Sequence, residues 1–142
     1  MNVKLFFSLA LTLVLAAGCA AARRGGLKSF TSESFPVWSG SAVVKDVAER
    51  IYSTYPPGRT VLFLAGEGEF ALALENALRK RGYSLAPEAG PGALSLTWRL
   101  DRLGDGVWYL VVKMSDGYCF SRVYQDHGQA LTPAAGISQG VF

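Results

Sequence analysis

Leu94-Ser95-Leu96-Thr97-Trp98-Arg99-Leu100-Asp101, then Gly104-Asp105-Gly106, then Val107 to Met114, then Ser115-Asp116-Gly117, then Tyr118 to Gln125: the fold turns on this stretch. In its first segment Leu94, Leu96, Trp98 and Leu100 alternate with Ser95, Thr97, Arg99 and Asp101, the period of a strand with one wet face. An Asp-Gly pair at each joint supplies a tight reversal, because glycine enters the left-handed backbone region without steric cost. Three strands joined by two such turns make an antiparallel meander.

Upstream, the period changes from two to between three and four. Val44, Val47, Ala48, Ile51, Tyr52 and Tyr55 form one helical face, with Ser41 placed to cap its start and Pro56-Pro57 to stop it. Thr60 to Leu64 is a short apolar run that reads as a buried strand. A second helix follows Ala65-Gly66-Glu67-Gly68-Glu69, with Phe70, Leu74, Ala77 and Leu78 on one face. Arg79, Lys80 and Arg81 stand at its C-terminal end, where the helix dipole favours cations, and Gly82 closes it. Tyr83 to Leu85 begins a further strand, which the Pro- and Gly-rich loop Pro87 to Gly92 interrupts. The tail from Asp126 to Phe142 carries no period and reads as irregular. The expected class is α+β: two helices packed on a small mixed sheet with a C-terminal antiparallel meander, in one domain over residues 41–142.

The N-terminus reads as a targeting segment. Lys4 precedes an uncharged run from Leu5 to Ala17, which is shorter than the roughly 20 apolar residues a spanning helix needs and has the length of a signal-peptide core. Its end, Leu15-Ala16-Ala17-Gly18-Cys19, resembles a lipobox, in which the cysteine thiol takes a diacylglycerol before cleavage. Residues 1–18 are thus expected to be a lipoprotein signal peptide and Cys19 the lipidated first residue of the mature chain. Acyl chains at about 0.8 kcal/mol per buried methylene would hold it stably. Ala20, where aspartate is absent, fits onward transport to the outer membrane, with the domain in the periplasm. Residues 19–40 read as a flexible tether, mostly Ala, Arg, Gly, Ser and Thr. Phe35, Pro36 and Trp38 interrupt it. Two arrangements are open for them: folding back on the domain, or docking on a partner, for which they are the candidate residues.

The whole chain carries 14 Lys+Arg against 11 Asp+Glu, and the basic residues are scattered or placed at helix ends, so no direct contact with nucleic acid is expected. Gly66-x-Gly68 after a strand superficially resembles a nucleotide loop, but the chain lacks the further βα units such a fold needs, and Glu67 and Glu69 would repel phosphate. A turn and a helix start explain the glycines better. His127 is the only histidine and has no cluster of ligands around it in sequence; no metal site, cofactor or catalytic residue is expected. Serines are present, yet none sits in a nucleophile elbow. Cys119, flanked by Tyr118 and Phe120, reads as a small buried hydrophobe, with an intermolecular disulfide as the alternative.

Several further segments occur together in a recognisable order. Tyr55-Pro56-Pro57-Gly58-Arg59-Thr60, Leu78-Arg79-Lys80-Arg81-Gly82-Tyr83, Leu100-Asp101-Arg102-Leu103, Ser121-Arg122-Val123-Tyr124 and Leu131-Thr132-Pro133-Ala134 resemble the TrbH conjugal transfer lipoproteins over roughly Val43 to Gly140. Gly58 stands where that family usually has alanine, and Ala71 where it has glycine. The resemblance implies an outer-membrane lipoprotein of a conjugative type IV secretion apparatus, anchoring and stabilising its core ring beside larger subunits. It also implies a domain similar to the DotD lipoproteins and the N-terminal domains of secretins. A different class, an envelope ligand-binding lipoprotein or an exclusion factor that blocks DNA uptake, is the alternative; an enzyme ranks below both.

Overall fold

The computed structural model describes residues 28–36 and 40–141. Residues 1–18, expected to be a signal peptide, Cys19 and Trp38 lie outside the described residues. In chain order the elements are β1 (Phe30–Thr31), α1 (Ser41–Thr54), a 3-10 turn (Pro57–Arg59), β2 (Val61–Leu64), α2 (Glu69–Lys80) and β3 (Ser84–Leu85). β4 (Leu94–Gly104), β5 (Val107–Met114), β6 (Tyr118–Asp126), β7 (Leu131–Pro133) and β8 (Ser138–Val141) complete them. The class is α+β, two helices against one mixed sheet, and the meander β4-β5-β6 is its antiparallel centre.

Each outer strand of the meander is flanked by two short strands laid end to end. Along β4, β2 pairs in parallel with Leu94 to Leu96, and β1 pairs in parallel with Arg99 and Leu100. At the junction the Ser29 hydroxyl accepts the Trp98 backbone N–H at 3.1 Å, and Ser29 N–H donates to Ala65 C=O at 3.0 Å. β3 extends the sheet beyond β2. On the far side, β8 pairs with Tyr118 to Ser121 and β7 with Tyr124 to Asp126. The expectation of an irregular tail is therefore corrected. β8 is exposed at all four residues and leaves no alternating pattern to read; backbone pairing with β6 makes it a strand.

The expected domain start at residue 41 also moves upstream. β1 belongs to the sheet, and Phe35 is 6 % exposed, edge-on to Phe70 at 5.8 Å and to Trp108 at 5.2 Å. Burying such a ring contributes about 1.5–3 kcal/mol. Gly40 is packed so closely on this ring that a Cβ there would lie 2.5 Å from it. Gly40, rather than Ser41, precedes the first helical turn, and no side chain caps it.

Both helices lie on one face of the sheet. Val43, Val47 and Ile51 of α1 and Phe70, Leu74 and Leu78 of α2 share a core with Leu96, Trp98, Leu100, Leu110 and Val112. Tyr52, read from its spacing as part of the apolar face, is exposed instead. α2 ends in a Schellman cap: Gly82, at φ +91°, donates to Arg79 C=O, and Tyr83 N–H to Leu78 C=O.

Polar ties set α1 along β6. Arg122 donates through Nη1 to both Asp46 oxygens at 2.7 Å, and Tyr124 donates its hydroxyl to the same carboxylate. One turn on, Arg50 donates to the Tyr118 hydroxyl, and Tyr55 donates to Asp116 in the β5-β6 turn. Arg122 also donates to Ala135 C=O, joining the β7-β8 connection to the same clasp. Burial first, then the hydrogen bond to Asp46, raises the Tyr124 hydroxyl pKa well above the ordinary tyrosine value.

Candidate interaction surface

β5 has apolar residues on both faces. Trp108, Leu110, Val112 and Met114 point to the helices and are buried; Val107, Tyr109, Val111 and Lys113 point the other way and are half-buried. A strand of an antiparallel sheet with a solvated side normally alternates apolar with polar, whereas one covered on both sides reads as a continuous apolar run. Cross-strand register extends the outer face in rows: Thr97, Lys113 and Cys119; Arg99, Val111 and Ser121; Asp101, Tyr109 and Val123. No helix of the chain covers this face among the described residues.

Two depressions open on it. One, of about 180 Å³, is lined by Lys28, Phe30, Thr97, Trp98, Arg99, Val111 and Lys113. The second, of about 520 Å³, shares Thr97 and Lys113 with it and continues past Ser95 to Phe63 and Ala89. Together they form one groove along the outer side of β4. Its rim near β1 is cationic: Lys28, Lys113, and Arg99, whose guanidinium sits 5.1 Å from the centre of the Phe30 ring and pairs with Asp101 at 3.0 Å.

The residues singled out in the sequence fall elsewhere. Phe35 takes the folded-back arrangement, inside the core, and Pro36 beside it is half-buried with its carbonyl accepting the Gly40 N–H. Gly68, at φ +94°, begins α2 as a backbone cap, and Gly66 is there because a Cβ would lie 2.6 Å from the Trp98 ring. The nucleotide-loop likeness is thus a turn and a close approach. His127 is exposed, its backbone N–H bonded to Ala130 C=O. Cys119 is a free thiol on the outer face, half-buried rather than fully buried as expected, because its side chain alternates away from Phe120.

Among the described residues, no group of three or more His, Cys, Asp or Glu side chains is placed to hold a metal ion, and no helix is long and apolar enough to cross a membrane. The outer face escaped the sequence reading, although a signal was present: Val107 to Val112 does not alternate.

The model of one protein family, described as conjugal transfer protein TrbH, matches residues 24–140. No curated protein and no solved structure matches the chain.

Proposed function

Because this chain belongs to the TrbH family of conjugal transfer proteins, we propose that it works as a lipid-anchored structural subunit of the transfer apparatus. It sits at the outer membrane, in the core complex of a conjugative type IV secretion system, with its domain in the periplasm. It catalyses no reaction. Its partners are the other core subunits and, through lipid on Cys19, the membrane itself. The observation that carries the reading is the sheet face opposite the helices, apolar at Val107, Tyr109 and Val111 and covered by no helix among the described residues. Such a face serves assembly.

The reading is tested in a donor strain lacking the gene and complemented with wild type or Cys19→Ser. Wild type is expected to take up labelled palmitate and restore transfer of the conjugative element. Cys19→Ser, with no thiol to acylate, is expected to lose the label and to leave transfer at the level of the deletion. Undiminished labelling of Cys19→Ser sinks the lipid site. Full transfer by an unlabelled protein sinks the anchoring role.

A further inference from the structure

We propose that β8 pairs edge to edge with β8 of a second copy of this chain, antiparallel about a two-fold axis at Gln139, so that one sheet runs through both copies. β8 pairs with β6 along one edge, from Tyr118 opposite Val141 to Ser121 opposite Ser138, and no strand lies beside its other edge among the described residues. A free edge is a row of unpaired N–H and C=O groups, which proteins ordinarily guard by shortness, proline or charge. The other outer strands of the sheet have such guards: β1 and β3 are two residues long, and β7 ends at Pro133. β8 lacks proline and charge. It is exposed at all four residues, and the sequence carries no Asp, Glu, Lys or Arg from Gly128 to Phe142.

The order of residues selects a second copy. Ile137-Ser138-Gln139-Gly140-Val141 reads nearly the same in both directions: β-branched, small, glutamine, small, β-branched. A two-fold contact brings residue i of one copy to residue j of the other and j to i, so a strand meets itself well where its sequence has this symmetry. Side chains at paired positions share a face, and Phe120, opposite Gln139, is buried on the helix side, so Gln139 and Val141 belong to that side. Ile137 packs against the same core. Centred on Gln139, the pairing sets Ile137 of each copy against Val141 of the other, and Val141, 79 % exposed in the single copy, gains an apolar neighbour. Gln139 meets itself. Its Oε1 accepts the Tyr118 hydroxyl at 3.4 Å, and its amide N–H groups can donate across the axis. A strand of a different protein would need only a matching backbone, and the symmetry would then serve nothing.

The test uses the full-length protein in donor cells, with Cys119→Ala so that the native thiol does not compete. Cβ atoms facing across the axis would stand about 4.5–5.5 Å apart, so Gln139→Cys should close a disulfide between two copies on mild oxidation. Mass spectrometry should find the residue 139 peptide joined to itself, with about ten times the yield of a self-link from Leu72→Cys, exposed on α2, because a held pair has the higher effective concentration. Charge gives a second readout, on differently tagged full-length copies recovered together from cells that make no other transfer subunit. Gln139→Lys in both copies, or Gln139→Glu in both, sets like charges face to face and should lower recovery of one copy with the other about tenfold at an unchanged melting temperature; Gln139→Lys in one with Gln139→Glu in the other should restore it. No disulfide at residue 139, a yield no higher than from Leu72→Cys, or a disulfide to a different protein overturns the proposal. So does recovery that ignores the like charges, or a mixed pair that fails to restore it. Neither readout depends on palmitate at Cys19, so the strand pairing and the lipid anchor fail separately.

Discussion

The two faces of β5 are built from nearly the same residue types and do different work. Leu110 and Val112 face the helices and are wholly buried; Val111, between them, faces out and is half-buried. On the inner side every apolar group is already covered by α1, α2 and the segment around Phe35, so its contribution is to stability. On the outer side no helix among the described residues completes the burial, and the same hydrophobic free energy can be gained by association. Substitutions on the two faces should therefore separate folding from assembly.

The largest effect is expected at the centre of the inner side. Leu74 is completely buried between the helices and the sheet, and Leu74→Asp places an unpaired carboxylate there, a cost that rivals the roughly 5 to 15 kcal/mol stabilising a whole domain. The variant should be degraded in cells and show no cooperative melt. Its neighbour Glu75 points outward and pairs with Arg79 at 2.9 Å, an exposed i,i+4 pair. Glu75→Lys should cost no more than about 0.5–1 kcal/mol. A reversed order would put the phase of α2, and with it the inner core, out of place.

The next effect tests where the inner face ends. Phe35→Ala removes a ring enclosed by Phe70 and Trp108 and should cost about 3–5 kcal/mol, read as a fall in melting temperature of the isolated protein. An unchanged melt with loss of subunit binding would instead make Phe35 a partner anchor. Legibility divides at this point. The meander could be read because Leu94 to Asp101 alternates and an Asp-Gly pair stands at each joint, and the helices because their apolar residues recur at helical spacing over eight residues or more. Phe35 could not, because isolated aromatics at Phe30, Phe35 and Trp38 in a Ser- and Thr-rich segment make no strand or helical period. β7 and β8 could not either: Leu131 is the one fully buried residue among their seven, and backbone pairing carries no side-chain signature. The groove was hidden for a related reason, since residues as far apart as Lys28, Thr97 and Val111 meet only once β1 is laid beside β4.

A smaller effect is expected where the inner face becomes polar. Tyr124→Phe removes one charge-assisted hydrogen bond to Asp46 while leaving Arg122 in place, a loss of about 1.5 kcal/mol at neutral pH. The pH dependence has a definite sign. Burial and Asp46 keep the Tyr124 proton on in the folded state, whereas the unfolded chain releases it near pH 10, so the contribution is full below about pH 10 and is lost as pH rises beyond it. Tyr55 and Tyr83 are raised by burial in the same direction. Wild type should thus lose melting temperature steeply above pH 10, and Tyr124→Phe should lose less over the same interval. Equal slopes would mean that the Tyr124 hydroxyl is not held by the clasp.

The smallest change is the sharpest comparison, because it concerns neighbouring residues of one strand and the same substitution. Val112→Thr buries a hydroxyl on the inner face and should cost about 1–3 kcal/mol; Val111→Thr keeps the branched shape and the strand preference and leaves its hydroxyl half-exposed, where water reaches it. The isolated Val111→Thr protein should therefore melt within about 0.5 kcal/mol of wild type. In donor cells the order should reverse once stability is matched, for example by growth at low temperature. Val112→Thr should then retain its place in the apparatus, while Val111→Thr, which puts a hydroxyl on the groove floor, should be recovered with fewer subunits. Equal destabilisation by both substitutions in the isolated protein would mean that the outer face is already covered within the chain, and the distinction between a face that folds and a face that assembles would fall.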